Sequence, residues 1–367
     1  MSRGLSLWLD GLRVFATLAV VLSHLAYPRF TRGDYNILRE WNIGSDAVIL
    51  FFVISGIVIA YAAERDGTLG QFAFKRLTRL WSVLLPALLL TLAFDRLGYP
   101  LDPTAYPAPF FQPLGLWEML VHGLSFTNEW WVPGRLRLGS NGPLWSLSYE
   151  AAYYALFGAS VFLSGWLRVA VVLSLCLLAG PLVLLLMPAW LIGVFLWQRL
   201  RAGPDRLPSP PLAVILALAA PLAYVAAVSI DVPDLLAAIT GLAFVPVHHS
   251  AVLSFSDEAP WNAIIGALAA IHILGMASLL ARVRADGRWI RWLAGASFSV
   301  YVTHYPALHL LDAALPEDLF GRDMALLVGA LTVGLVFAEF FERRLGAFRR
   351  ALRAAMGTPP PEARHRG

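Results

Sequence analysis

Apolar residues in this chain come in long, nearly unbroken runs. They show neither the alternation of a half-buried strand nor the one-sided stripe of a surface helix. Runs of about 20 residues match the hydrocarbon thickness of a bilayer. They predict membrane helices at 11–28, 43–62, 77–96, 143–163, 168–186, 188–200, 211–229, 260–282, 290–311 and 323–345. The run 188–200 is short for a span, and a further apolar run at 235–252 would make eleven. The polar positions decide between the counts. Basic clusters fall at Lys75/Arg76/Arg79, Arg199/Arg201/Arg206, Arg282/Arg284/Arg288/Arg291 and Arg343/Arg344/Arg349/Arg350/Arg353. Lys and Arg concentrate on the cytoplasmic flanks of spans. Ten spans put all four clusters and both termini on that side, provided 235–252 is re-entrant or interfacial.

Composition agrees with the pattern. Of 367 residues, 58% are hydrophobic and 14% charged, against about 25% charged in a soluble domain. The expected fold is all-α, a polytopic transmembrane bundle of about ten spans with the lipid bilayer as partner. The net charge of +4 lies beside the spans, where it sets topology, and does not point to nucleic acid. Cys176 is the only cysteine, which excludes an internal disulfide and a thiol metal site. Arg3 before an apolar stretch imitates a signal peptide. Arg13 inside that stretch, with no small-x-small cleavage site, predicts a retained anchor instead. The transmembrane domain is expected over 1–355. Its longest outside loop, 97–142, is rich in Pro, Trp and Phe, has an amphipathic piece at 114–126, and is expected to form a cap over the outer mouth. Residues 356–367, with three successive prolines, are expected to be a disordered cytoplasmic tail. No internal repeat is visible.

Ionisable residues inside spans mark function by default. Arg13 and His24 share the first span. Eleven residues return a helix to within ~20° of its starting face and climb ~16 Å, so the pair lies on one stripe at two depths, close to Asp10 and Thr17. The bland alternative is a snorkelling Arg and a core His. Glu150 closes the stretch Asn141-Gly-Pro-Leu-Trp145-Ser146-Leu-Ser-Tyr-Glu150, one turn beyond Ser146 on the same face; a structural ion pair is its bland role. Ser297, Tyr301 and His304 share a face of the span 290–311 and would otherwise serve as polar glue between helices. Counting along the helices puts His24, Glu150 and His304 in the outer half at similar depth, a grouping suited to proton transfer.

Arg76 and Arg79 sit one turn apart at the predicted start of the third span, where the helix dipole favours phosphate; positive-inside anchoring is the plain alternative. Asp46 is placed to pair with Arg29 or Arg32, and Ser55-Gly56 to allow close helix packing. His248, His249 and His272 are expected to make local hydrogen bonds. No metal motif, glycine-rich phosphate loop or lipase-type G-x-S-x-G occurs.

In this order the pieces resemble the acyltransferase 3 family of bacterial integral-membrane O-acyltransferases. Leu9-Asp-Gly-Leu-Arg13 with His24 is similar to its N-terminal signature, and Phe51-Phe52-Val-Ile-Ser55-Gly56 to its Phe-Phe-x-x-Ser-Gly segment. Arg76 and Arg79 match its paired arginines. Trp145-Ser-Leu-Ser-Tyr-Glu150 with Tyr153-Tyr154, and Gly295-Ala-Ser297-Phe-Ser-Val-Tyr301-Val-Thr-His304, match its later motifs. The resemblance covers about 5–345. Ile49 stands where many members have Asp, Pro86 is the first proline after the paired arginines, and Thr303 replaces a common Trp.

The resemblance implies transfer of an acyl group, commonly from an acyl-CoA such as acetyl-CoA, to a hydroxyl of a glycan, lipid-linked sugar or hydroxylated small molecule. It implies a multi-pass protein of the inner membrane with no permanently bound cofactor. No hydrolase-like stretch follows the last predicted span, so a stand-alone membrane domain is expected. In this picture Arg13, Arg76 and Arg79 hold the anionic donor. His24 is the general base or carries the acyl group, and Glu150 orients it. Ser297, Tyr301 and His304 steady the acceptor or the oxyanion, with Asp46, Asn141, Trp145 and Ser146 on the substrate side. The rival is a proton-coupled transporter or flippase using His24, Glu150 and His304 as a relay; the lack of an internal repeat counts against it. A scaffold would leave the buried ionisable residues unexplained.

Overall fold

The computed structural model describes residues 1–132, 134–244 and 253–356. Helices dominate, and no strand occurs among the described residues. The long ones are α1 (Arg3–Leu25), α2 (Ile43–Ala63), α3 (Leu69–Leu101), α4 (Trp145–Phe162), α5 (Gly165–Leu185), α6 (Met187–Arg201), α7 (Pro210–Ser229), α8 (Val232–Phe244), α9 (Ala259–Leu279), α10 (Ser297–Ala314), α11 (Arg322–Phe340) and α12 (Leu345–Ala355). Short side-chain caps start two of them. Ser2 Oγ accepts from Leu5 N at 3.2 Å, and Thr68 Oγ1 from Gln71 N at 3.3 Å.

Among the described residues, seven helices are long and apolar enough to cross a membrane: α1, α2, α3, α5, α7, α9 and α11. The chain is a multi-pass membrane protein. Three helices expected as spans fall outside this set for physical reasons. α6 has only 15 residues. α4 and α10 carry the polar groups of the interior, Ser146, Ser148 and Glu150 on one and Ser299, Thr303, His304 and His309 on the other. From Ser299 to His309 every residue of α10 is buried. A helix enclosed by protein needs no apolar coat. The run 235–252 begins in α8, whose 13 residues are short of a span; 245–252 and the tail 357–367, with His248 and His249, lie outside the described residues.

Close crossings hold the bundle. A Cβ added to Gly56 of α2 would collide with the Trp190 carbonyl of α6, and one added to Gly193 of α6 with the Val53 carbonyl of α2. The two backbones touch where neither has a side chain, the usual route to tight membrane packing. Gly193→Ala is therefore expected to cost about 1–3 kcal/mol by overpacking, seen as a lower melting temperature of the purified protein; an unchanged melting temperature would show that the crossing yields freely.

Two boundaries differ from expectation in ways that move functional residues. α3 starts at Leu69 rather than near 77, so Arg76 and Arg79 lie in its third turn. The dipole fades within the first turn and adds little there. α10 starts at Ser297, after a separate short helix, Arg288–Ala294. His304 is thus ~10 Å into its helix rather than ~20 Å.

The first residues of the expected 97–142 loop, 97–101, continue α3. The loop's helix, Leu116–Leu124, lies along α3, with the Leu124 carbonyl accepting from Trp81 Nε1 at 2.9 Å. Beyond it, Ser148 Oγ donates to Phe126 O at 2.6 Å and accepts from Glu129 N at 3.3 Å. Irregular backbone is tolerated at this depth because protein groups satisfy it.

Candidate functional site

A cavity with about 120 Å³ of room for water-sized molecules lies between α1, α2, α3, α4 and α10. Arg13, Arg76 and Arg79 line it, and Ser146, Glu150, Ser297 and Tyr301 face the same space. The arginines are held differently. Arg13 pairs with Asp10 at 3.6 Å, and Thr17 turns its hydroxyl back to the Arg13 carbonyl at 2.8 Å. Arg76 donates through Nη2 to buried Asp66 at 3.3 Å, which also pairs with Lys75, while its Nε is buried without a partner. The Arg79 guanidinium makes no hydrogen bond or ion pair among the described residues and is exposed. α12 adds Arg349, whose Nε donates to Thr78 Oγ1 at 2.9 Å and Nη2 to Lys75 O at 2.7 Å. One end of the cavity is therefore a cationic basin.

Glu150 forms the cavity's carboxylate. Its Oε1 accepts from Ser55 Oγ and from Tyr154 OH, each at 2.5 Å, and Trp190 Nε1 donates to Ser55 Oγ at 3.2 Å. Ser55 thus does more than allow close packing. It joins the Phe-Phe-x-x-Ser-Gly segment to the glutamate, while Gly56 beside it supplies the contact with α6. Across the cavity Tyr301 OH donates to Pro143 O at 3.0 Å and shares a 2.7 Å hydrogen bond with Ser146 Oγ. Ser297 Oγ donates to the carbonyl of Ala294, the last residue of the short helix before α10, at 2.8 Å.

His24 and His304 lie outside this lining and meet each other. His24 Nδ1 is 2.8 Å from His304 Nε2, and the two rings stack at 5.1 Å. His304 Nδ1 lies 2.7 Å from Tyr301 O and 3.1 Å from Val300 O. Carbonyls only accept, so these partners assign the His304 proton to Nδ1. In the neutral pair His304 Nε2 then accepts from His24 Nδ1–H, and His24 Nε2 keeps its lone pair. His304 is completely buried while His24 is partly exposed, so the free nitrogen belongs to the accessible ring.

This corrects the expected pairing of Glu150 with His24. Glu150 hydrogen-bonds Ser55 and Tyr154, and the group bound to His24 is His304. The reason is the start of α4. The chain enters it through a 3₁₀ turn, Gly142–Leu144, whose neighbours Asn141 and Trp145 are buried. The helix begins inside the protein, and counting depth from a membrane surface fails.

Asp46 is likewise remote from Arg29 and Arg32. It accepts from Tyr224 OH at 2.7 Å and Trp261 Nε1 at 3.3 Å, whereas Arg29 donates to Tyr305 OH and Arg32 pairs with Glu317 at 3.7 Å. Asn141 bridges helices by donating to Thr91 Oγ1 at 2.9 Å and Val302 O at 2.8 Å. Trp145 stacks on Phe255 with ring centres 4.3 Å apart. His272 accepts from Trp8 Nε1 at 3.1 Å and bonds Ala217 O at 2.8 Å. Among the described residues no group of three or more potential metal ligands occurs.

Sequence reasoning missed Asp66, Arg349 and Tyr305. A helical period in the last basic run signals an amphipathic helix that would carry Arg349; nothing local marks the other two.

The family described as "Acyltransferase domain" matches residues 6–339. The chain is 32% identical over 153 residues to the acyltransferase MdmB of Streptomyces mycarofaciens, covering 41% of this chain and 37% of that protein. It is 24% identical over 332 residues to the peptidoglycan O-acetyltransferase OatA of Listeria monocytogenes, covering 84% and 50%. It is 27% identical over 192 residues to the putative peptidoglycan O-acetyltransferase YrhL of Bacillus subtilis, covering 48% and 27%. The chain spans half the length or less of these curated relatives. No solved structure matches it.

Proposed function

The chain belongs to the acyltransferase 3 family, and from that premise we propose that it is an integral-membrane O-acyltransferase, moving an acyl group from an acyl-CoA such as acetyl-CoA to a hydroxyl of a glycan. The observation that carries the proposal is the 2.8 Å His24–His304 pair, which leaves His24 Nε2 as an accessible lone pair with its tautomer fixed from behind. A fixed imidazole with a free nitrogen is what a general base requires.

In the proposed topology the N-terminus and the basic basin face the cytoplasm of a bacterial inner membrane, and α4, α6 and α10 complete ten crossings. The donor's phosphates lie against Arg76 and Arg79, with Arg13 deeper; the unpartnered Arg76 Nε and the unpaired Arg79 supply donors for them. The acyl end points along the cavity past Glu150 and Tyr301 towards the histidines. The acceptor hydroxyl enters from the opposite end and gives its proton to His24 Nε2 as its oxygen attacks the thioester carbonyl. The C–S bond breaks, an ester C–O bond forms, and the proton passes from His24 to the departing thiolate. His304 keeps its hydrogen bond to His24 Nδ1–H in both charge states, the orienting role of a third triad member. Ser146 turns its proton from Tyr301 to the developing oxyanion, exchanging one hydrogen bond for a charged one, while Tyr301 stays on Pro143 O.

Purified protein incubated with labelled acetyl-CoA and glycan fragments tests this. Acceptor-dependent release of CoA thiol with label on the glycan is expected. Movement of unmodified glycan into vesicles without thiol release would overturn the proposal and favour a transporter.

A further inference from the structure

A second group of arginines gathers at the His24 end, on the side that the proposed topology places outside. The Arg29 guanidinium lies 4.1 Å from the Phe110 ring centre and 4.7 Å from that of Tyr27, and donates to Tyr305 OH. Arg39 lies 4.0 Å from the same Tyr27 ring and donates to Ser23 Oγ at 3.1 Å. Arg137 approaches from the loop before α4. Its Nη1 is 3.5 Å from Phe110 O, and a Cβ on Gly142 would collide with it while meeting the Tyr305 ring at 3.7 Å. His24 forms the floor, its ring 4.7 Å from Tyr305 and stacked on Tyr27 at 6.0 Å.

Among the described residues none of the three arginines has a carboxylate partner. Asp312, whose charge reaches Arg29, is held by Arg322 at 2.6 Å. Arg29 Nε is buried and unpartnered. Topology does not explain the cluster, because positive-inside anchoring acts on the other face. Aromatic faces steady the cations but leave guanidinium edges for an anion, and the planar fork matches a carboxylate or phosphate.

We propose that the acceptor is an anionic glycan, whose carboxylate or phosphate binds between Arg29, Arg39 and Arg137 and so sets a neighbouring hydroxyl at His24 Nε2. This rests on the proposed acceptor class but not on turnover, so binding is the measurement. The full chain in nanodiscs of uncharged lipid is titrated with two probe pairs: a hexuronic acid oligosaccharide against its methyl ester, and a hexose 1-phosphate against the free hexose.

The charged member of at least one pair is expected to bind ~10-fold tighter, about the loss of one charge-assisted hydrogen bond. Preference in the first pair alone identifies a carboxylate and in the second alone a phosphate. Arg39→Gln and Arg137→Gln are each expected to bring the ratio towards one while acetyl-CoA binding stays unchanged, which also shows that the variants are folded. Equal binding within both pairs, or a preference that survives both substitutions, overturns the proposal. A charge preference without acyl transfer would instead defeat the enzymatic reading and leave the anion site standing.

Discussion

His24→Ala is expected to lower acyl transfer by ~10²–10⁴-fold, the usual contribution of a positioned general base. The substitution removes the only accessible lone pair of the histidine pair. It leaves His304 held through Nδ1 by the Tyr301 and Val300 carbonyls, so the interior of α10 keeps its anchoring. Expression level is expected to stay close to that of the parent, because His24 is partly exposed near the end of α1, while the melting temperature falls modestly as buried His304 Nε2 loses its donor. The rate at saturating donor and acceptor is the decisive measurement. Retention of more than about a tenth of the parental rate would exclude His24 as the base. A covalent acyl-imidazole route predicts the same loss, and acid-quenched protein from single turnovers, probed for label, separates the two chemistries.

The second large effect is on donor affinity. Arg79→Ala is expected to raise the apparent KM for acyl-CoA by ~10–100-fold, as loss of a charged hydrogen bond worth about 1.5–3 kcal/mol implies. The saturated rate should change little, since the phosphates lie far from the thioester and bind alike in ground and transition states. Arg79 is a cleaner probe than Arg76. It has no ion pair to lose, whereas Arg76→Ala also strips one partner from buried Asp66 and leaves Lys75 to neutralise it alone. A loss of stability is therefore expected with Arg76→Ala and not with Arg79→Ala. An unchanged donor KM in both variants would reduce these arginines to topology signals.

Much of the architecture was legible because hydropathy and helix period act locally. The long apolar runs became α1, α2, α3, α5, α7, α9 and α11, whereas α4 and α10 read as further spans and only their packing shows them as interior helices. The motif residues were legible as candidates for the same reason: an Arg, a Glu or a His in such a run needs an explanation wherever it lands. Their partners were not legible. Depth along a span depends on where its helix starts, and both α4 and α10 start elsewhere than hydropathy predicts, one inside the protein after a 3₁₀ turn and the other after a separate short helix. Each shift of a turn moves a side chain ~5 Å along the axis, enough to exchange one hydrogen-bond partner for another.

The sequence by itself determined that this is a multi-pass helical protein, which helices carry ionisable groups, and that five motifs in order mark a membrane acyltransferase family. The tertiary structure alone decided that His24 pairs with His304 across 280 positions, that Ser55 and Tyr154 hold Glu150, and that Arg29, Arg39 and Arg137 gather around Tyr27, Phe110 and Tyr305. The division has a physical cause. Burial and periodicity are properties of a single helix, whereas a hydrogen bond between helices depends on their relative depth, rotation and crossing. Those are set by contacts such as Gly56 against Gly193, which no single helix records.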